Sequence, residues 1–296
     1  MDTVLVTGGR GRSGRWIVDR LAETYHVICL DREHPGFDAM GRENIEFRAT
    51  DLTDAGVAFD VITETDPDAV VHWAAIPAAS RHAGTELFET NTQAAYHTLS
   101  AAGRVGADIV QASSDGIYGF FFADPTPMPD ELPVTETHPK WPEDPYGLSK
   151  VTAEEIAAGI VRRHGVSAVS IRPSWIQYPG DYPCRDPGYV DDLAAGAGNF
   201  WSYVDIRDVV SMVERALETG IDGHEAFNCV AADNALGRPL AALFREHYGP
   251  LPADATIEGD TSVYAIEKAK RHLDWTPSHS WRTAAEETVE EPVLTA

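Results

Sequence analysis

Residues 4–21 read Val4-Leu5-Val6-Thr7-Gly8-Gly9-Arg10-Gly11-Arg12-Ser13-Gly14-Arg15-Trp16-Ile17-Val18-Asp19-Arg20-Leu21. Val4 to Thr7 is a β-rich apolar run, and from about Arg12 the apolar residues fall at helical spacing, so the glycines join a strand to a helix. Glycines in that place permit a tight turn and let the backbone approach a pyrophosphate, which then sits at the positive end of the helix. The segment fits GxxGxxG through Gly8, Gly11 and Gly14, and also GxGxxG from Gly9. Neither match is specific by itself. Context adds the specificity: Asp31 closes the next apolar run, where a carboxylate can accept from both hydroxyls of an adenosine ribose. Arg10 and Arg32 flank it and could pair with a 2′-phosphate. NAD is the expected cofactor, with NADP as the alternative.

Outward from this unit the alternation continues. Residues 45–50, 69–74, 108–113, 168–173 and 226–230 form further β-rich runs, and residues 85–106 and 145–165 carry apolar side chains at helical spacing. Strand alternating with helix predicts an α/β fold with a parallel sheet covered on both faces. Residues 120–145 are rich in proline and acids, and residues 178–200 form a Gly/Pro/Asp loop. The expected division is a dinucleotide-binding part over 1–172 and a mainly substrate-binding part over 173–296, some elements of which return to the sheet.

Composition narrows the function. Of 296 residues 43% are hydrophobic, enough for a well-packed globule. With 47 Asp and Glu against 23 Lys and Arg, the formal charge is −24, a field that repels nucleic acid and anionic membranes. Lysine occurs only at positions 140, 150, 268 and 270. Such an acidic, lysine-poor composition resembles that of proteins from salt-loving archaea, whose surface carboxylates are screened by concentrated salt. No run is long and apolar enough for a membrane span, and the first residues lack a signal-peptide pattern, so a cytoplasmic protein is expected. Cys29, Cys184 and Cys229 have no pairing pattern, and the histidines lack metal-ligand spacing, so neither a disulfide framework nor a metal site is indicated.

Chemistry is suggested by Asp144-Pro145-Tyr146-Gly147-Leu148-Ser149-Lys150, which opens a helix. Tyr146 and Lys150 share one helix face. A phenol titrating near ~10 can act as a base near neutrality only if its pKa is lowered, and a neighbouring ammonium is expected to do this. Ser114, just after the run 108–113, supplies a hydroxyl at the carboxyl edge of the sheet, where open α/β folds bind ligands. His72 reads as a satisfied strand-end residue, Asp205 and Asp208 as helix-start residues, and the tail Glu286 to Ala296 as a solvated acidic end.

These elements occur in a recognisable order. The glycine loop, Asp31, Asp51-Leu52, His72-Trp73-Ala74-Ala75, Asn91, Ser113-Ser114-Asp115-Gly116-Ile117-Tyr118-Gly119, the Tyr146 to Lys150 segment, Arg172-Pro173 and Tyr203-Val204-Asp205-Ile206-Arg207-Asp208-Val209 follow one another as in the extended short-chain dehydrogenase/reductase family, the NAD-dependent epimerase/dehydratase group. The resemblance covers nearly the whole chain. It implies a Rossmann fold, a doubly wound parallel sheet of about seven strands, and a catalytic set of Ser114, Tyr146 as general acid/base and Lys150. It also implies cofactor contacts from Gly8, Gly11, Arg12, Ser13, Gly14, Asp31, Arg32, Asp51, Leu52, Trp73, Ala74, Ala75, Asn91, Tyr146, Lys150 and Pro173. The family's usual two-fold pairing through helices near 85–104 and 146–163 implies a homodimer or higher homo-oligomer.

Three departures bear on the substrate. Ser174-Trp175-Ile176-Gln177-Tyr178-Pro179 replaces the asparagine and YGP usual after the Arg-Pro strand in epimerases. The loop from there to Tyr203 is short and lacks the family's helix-bearing insert and GDG-like turn. Asp115-Gly116 stands where dehydratases carry Asp-Glu. The chain is similar in this to the compact uronate dehydrogenases and the sugar 1-dehydrogenases of salt-loving archaea. The expected reaction is oxidation of a small free aldose or uronate at C1 to a lactone, with Ser114, Asp115, Tyr146, Ser174 and Arg185 facing the substrate and Arg185 the candidate for a uronate carboxylate. The alternatives are a nucleotide-sugar 4-epimerase and a non-catalytic NAD(P)-sensing regulator; the intact Ser114, Tyr146 and Lys150 weigh against the regulator.

Overall fold

The computed structural model describes residues 1–36, 42–77, 83–253 and 255–295. Seven strands form one parallel sheet: β1 (Thr3–Thr7), β2 (His26–Asp31), β3 (Ile45–Ala49), β4 (Ala69–His72), β5 (Asp108–Ala112), β6 (Ala168–Pro173) and, late in the chain, β9 (His224–Cys229). Two short strands, β7 (Ile176–Gln177) and β8 (Val204–Asp205), pair separately. The helices are α1 (Gly14–Leu21), α2 (Ala55–Thr65), α3 (Gly84–Val105), α4 (Pro145–His164), α5 (Pro187–Val190), α6 (Ile206–Thr219), α7 (Leu240–His247), α8 (Glu267–Leu273) and α9 (Trp281–Ala284).

The strands are apolar on both faces because both are covered. Val4 and Val6 of β1 join one core with Val27 and Cys29, packed by Trp16 and Ile17 of α1 and Val209 and Val213 of α6. Leu5 points the other way and joins Ile28 and Leu30 in a second core beneath Ile62 of α2, Leu99 of α3 and Ala157 of α4. Strand order is β3-β2-β1-β4-β5-β6-β9. The chain therefore runs outward from β1 to β3 and then crosses back to β4 on the other side of β1. The order thus reverses at β1, and the carboxyl edge at such a reversal is where open α/β sheets bind ligands.

Helix α1 begins at Gly14, two residues later than the sequence spacing predicts, because Arg12 and Ser13 remain in the turn. Both β9 and α6, which lie beyond residue 172, belong to the main sheet unit: β9 pairs with β6 from Ala168↔His224 to Pro173↔Cys229. All three cysteines are buried free thiols. No helix among the described residues is long and apolar enough to cross a membrane.

Candidate active site

Gly8 leaves β1 with a left-handed φ of 67°, and a Cβ there would sit 2.7 Å from the Ala74 Cα. A Cβ on Gly14 would meet the Gly8 carbonyl oxygen at 2.1 Å. Both positions thus need glycine, which keeps the start of α1 and the loop after β4 pressed together. Thr7 Oγ1 ties these loops by accepting from the amides of Trp73 (3.1 Å) and Ala74 (3.2 Å) and bonding His72 Nδ1 at 2.9 Å. Burial holds the His72 imidazole down at about 3, a neutral strand-end residue. Asp31, ending β2, accepts the Arg10 amide on one carboxylate oxygen (3.0 Å) and the Arg32 amide on the other (2.8 Å). The Arg10 guanidinium donates to the Glu33 carbonyl at 2.7 Å. Arg12 stacks on the Tyr178 ring, its Cζ 3.8 Å from the centroid, and Ser13 Oγ bonds Tyr178 Oη at 2.7 Å, so the glycine loop is fastened to the turn after β7.

The remaining expected cofactor residues line the same edge. Asp51 is exposed and bonded to Thr53, whose hydroxyl and amide lower its carboxyl pKa. The buried Leu52 gives its carbonyl to His97 Nδ1 at 2.9 Å. Trp73, Ala74 and Ala75 follow β4, and Pro173 ends β6. Asn91 of α3 accepts the Ile76 amide at 2.8 Å and donates to Ser149 Oγ of α4 at 3.3 Å, locking the loop after β4 to the helix that bears Tyr146.

Ser114 caps the turn Asp115–Tyr118, its hydroxyl accepting from the Gly116 amide at 3.0 Å and donating to Asp115 Oδ1 at 3.2 Å. Asp144 caps α4 by accepting from the Gly147 amide at 2.8 Å, with Pro145 in the first turn, which places Tyr146 at the helix start against Ser114. Lys150 lies one turn on, its ammonium 5.6 Å from the Tyr146 ring centroid and donating to the Ala112 carbonyl at 2.9 Å. The structure thus brings Ser114, Tyr146 and Lys150 together. It corrects one electrostatic expectation, since burial pushes the Tyr146 phenol up to about 12, the neighbouring Ser114 hydroxyl only partly opposing, and pushes Lys150 down to about 8. Desolvation dominates at both groups.

Asp115 and Ser174 are buried beside this set, and Asp115 Oδ2 and Ser174 Oγ have no hydrogen-bond partner. Burial raises the Asp115 carboxyl to about 6 against the nearby Ser174 and Ser114 hydroxyls and the Gly116 amide.

Sequence reasoning missed Glu154. It follows Tyr146 and Lys150 on one helical stripe and is buried, accepting from Arg172 Nε and an Arg172 terminal nitrogen at 2.8 Å each and from Ser113 Oγ at 2.7 Å. Arg172 also donates to Tyr118 Oη at 2.9 Å, and that hydroxyl donates to Asn228 of β9 at 2.6 Å. Its spacing of four residues from Lys150 and eight from Tyr146 was the available signal.

Arg185 is placed elsewhere. Its guanidinium lies 3.7 Å above the Trp281 ring centroid and donates to the Ala235 carbonyl, which fastens the 183–185 turn to the C-terminal part of the chain. Around it residues 178–203 turn inward: Tyr182, Cys184, Tyr189, Phe200, Trp201 and Tyr203 are buried. The tail differs as well. Glu291 pairs with Arg15 at 3.2 Å, Leu294 is buried, and Pro292 to Thr295 line a cavity of about 290 Å³ with Arg10, Arg15, Pro35 and Phe47.

A glycine loop at the carboxyl edge of a parallel sheet, with a serine, a tyrosine and a lysine gathered beside it, is the arrangement of a dinucleotide-dependent enzyme. The chain belongs to the NAD-dependent epimerase/dehydratase family, whose model matches residues 4–229, and NAD is its cofactor. Among curated relatives it is 34% identical over 175 residues to the UDP-glucose 4-epimerase of Streptococcus mutans, covering 57% of this chain and only half of that enzyme. To the UDP-glucose 4-epimerase of Corynebacterium glutamicum it is 27% identical over 314 residues, 94% of this chain and 91% of the relative. To the uronate dehydrogenase of Pseudomonas putida it is 28% identical over 222 residues, 75% and 73% of the two chains. Its fold is that of the UDP-glucose 4-epimerase of Thermotoga maritima, with a TM-score of 0.70, 23% identity and 96% of each chain covered.

Proposed function

We propose that the chain oxidises a free aldose or uronate at C1 to the lactone, hydride passing to NAD. Tyr146 takes the proton of the C1 hydroxyl, Ser114 holds that oxygen, and the Lys150 ammonium serves the nicotinamide ribose while Asp31 serves the adenosine ribose. Bound NAD supplies the hydride acceptor. The observation that carries the small-substrate reading is the segment 175–203. It has one basic side chain, Arg185, which is already engaged, and four aspartates, Asp181, Asp186, Asp191 and Asp192. A nucleotide diphosphate needs arginines, lysines or free backbone amides around its phosphates, and this segment offers it negative charge and a closed apolar interior instead.

Kinship favours a second reading. UDP-glucose 4-epimerases predominate among the relatives, and the one from Corynebacterium glutamicum matches nearly end to end. In that reaction hydride would pass from a nucleotide sugar to NAD and back to the opposite face of the same carbon, with Tyr146 taking and then returning the hydroxyl proton and Ser114 and Lys150 in the same roles. The test is a panel of galactose, arabinose, galacturonate and UDP-galactose with NAD and with NADP, at low and molar salt. Net formation of reduced cofactor from a free sugar supports the first reading, whereas conversion of UDP-galactose to UDP-glucose without net reduction replaces it with the second. The acidic, lysine-poor composition supports higher activity at molar salt.

A further inference from the structure

We infer that Asp115 and Ser174 form a recognition pair for a sugar hydroxyl, and that Asp115 makes the site select neutral aldoses over uronates. This rests on the free-sugar reading above and decides between the two substrate classes that reading allows. Asp115 is 8% exposed and Ser174 4% exposed; Asp115 Oδ2 and Ser174 Oγ make no hydrogen bond of ordinary length, although the Ser174 hydroxyl lies near enough to act on the Asp115 carboxyl. A buried polar atom left unpaired is costly, more so for a charged group, so proteins retain few of them.

The two oxygens are chemically complementary to one hydroxyl. An ionised carboxylate only accepts, while a serine hydroxyl donates and accepts. A sugar O–H can donate to Asp115 Oδ2 and accept from Ser174 Oγ, which satisfies both atoms together. The pair lies where the substrate must be: the other Asp115 oxygen accepts from Ser114, and the carboxylate is close enough to Tyr146 to hinder ionisation of its phenol.

The same arrangement repels anions. Two carboxylates within about 4–6 Å disfavour each other's charged forms, and Lys150, the cation beside the pair, is held one turn along α4 on the Ala112 carbonyl. Arg185, the residue a uronate would require in this region, is occupied by Trp281 and Ala235. The structure thus presents an acceptor for a neutral polyol and lacks a counter-ion for an acid.

The experiment compares kcat/KM for galactose and galacturonate in the full chain with NAD, for the unsubstituted protein, Asp115→Asn and Ser174→Ala, with thermal unfolding of each as the folding control. The unsubstituted chain should favour galactose. Asp115→Asn, which keeps shape and removes charge, should narrow that ratio by roughly tenfold through better uronate turnover, a change of about 1.4 kcal/mol. Ser174→Ala should raise KM for galactose with a smaller change in kcat. Equal use of the two sugars by the unsubstituted chain, or equal losses for both sugars in Asp115→Asn, overturns the inference and leaves the free-sugar reading standing. Turnover of UDP-galactose with neither free sugar oxidised removes that reading and this inference with it.

Discussion

Glu154 and Arg172 form a two-point ion pair across the interior, with both contacts at 2.8 Å and side-chain exposures of 2% and 4%. The pair joins α4, which carries Tyr146 and Lys150, to β6, and Ser113 bonds the same carboxylate from the residue before Ser114. Removing one partner leaves the other as a buried uncompensated charge. Glu154→Gln or Arg172→Met should therefore destabilise the chain by about 3–5 kcal/mol, read by urea unfolding. A loss below 1 kcal/mol would show that the carboxylate does not brace the site.

Tyr146→Phe should lower turnover by orders of magnitude and leave NAD affinity nearly unchanged, since only the phenol oxygen is lost. Steady-state kinetics together with calorimetric NAD titration check both parts. Near-normal turnover in the folded variant would remove Tyr146 as the base.

For the cofactor, Asp31 predicts higher kcat/KM with NAD than with NADP. Asp31→Ala frees the Arg10 and Arg32 amides that it now accepts from and removes a charge that repels a 2′-phosphate, so preference should move toward NADP. A strong NADP preference in the unsubstituted protein would contradict the assignment.

Asp115 also predicts a pH-dependent stability. Its folded-state value of about 6 lies above its ordinary 3.8, so the folded chain binds that proton more tightly and stability falls as pH rises through this interval. Asp115→Asn should accordingly be the more stable form above pH ~6, by on the order of 2–3 kcal/mol, with the advantage vanishing below pH ~4. Thermal melts of both proteins at several pH values decide it, and parallel curves would contradict it.

Pairing of two copies through α3 and α4 predicts a dimer. Both helices lie on one face of the sheet, and Tyr96 and Leu148 on them are 54% and 43% exposed. Light scattering should give twice the chain mass, and Tyr96→Asp with Leu148→Asp should give the monomer. A monomeric mass for the unsubstituted chain would sink the proposal.

Much of this fold is legible because its strands are apolar on both faces and its loops are punctuated by glycine. Gly8 and Gly14 mark the crevice, and Tyr146 with Lys150 marks a helix face, from local spacing alone. Glu154 was not legible, since a glutamate on a helix reads as solvent-facing until its arginine is found eighteen residues away on β6. Arg185 was legible only in part for the same reason: a lone cation in an acidic loop invites an anionic ligand, and only the fold shows Trp281 beneath it. The phenol's raised pKa depends on desolvation, which sequence spacing does not measure. The tail reads as charged, yet Leu294 is buried in the core that Phe47 packs against and Glu291 pairs with Arg15, contacts that span nearly the whole chain.

The placing of β9 bears on how the protein emerges during synthesis. Domains generally fold from the N-terminal end as the chain leaves the ribosome, and here six strands of the main sheet are complete by Pro173, while the seventh ends at Cys229. During that interval β6 is an open edge, its outer amides unpaired and available to another strand. The Tyr118 hydroxyl meanwhile waits for Asn228, 110 residues further on. The nascent chain therefore carries Ser114, Tyr146 and Lys150 for some time before the strand that covers the β6 edge has been translated, and this is the stage at which misassembly between neighbouring chains would begin.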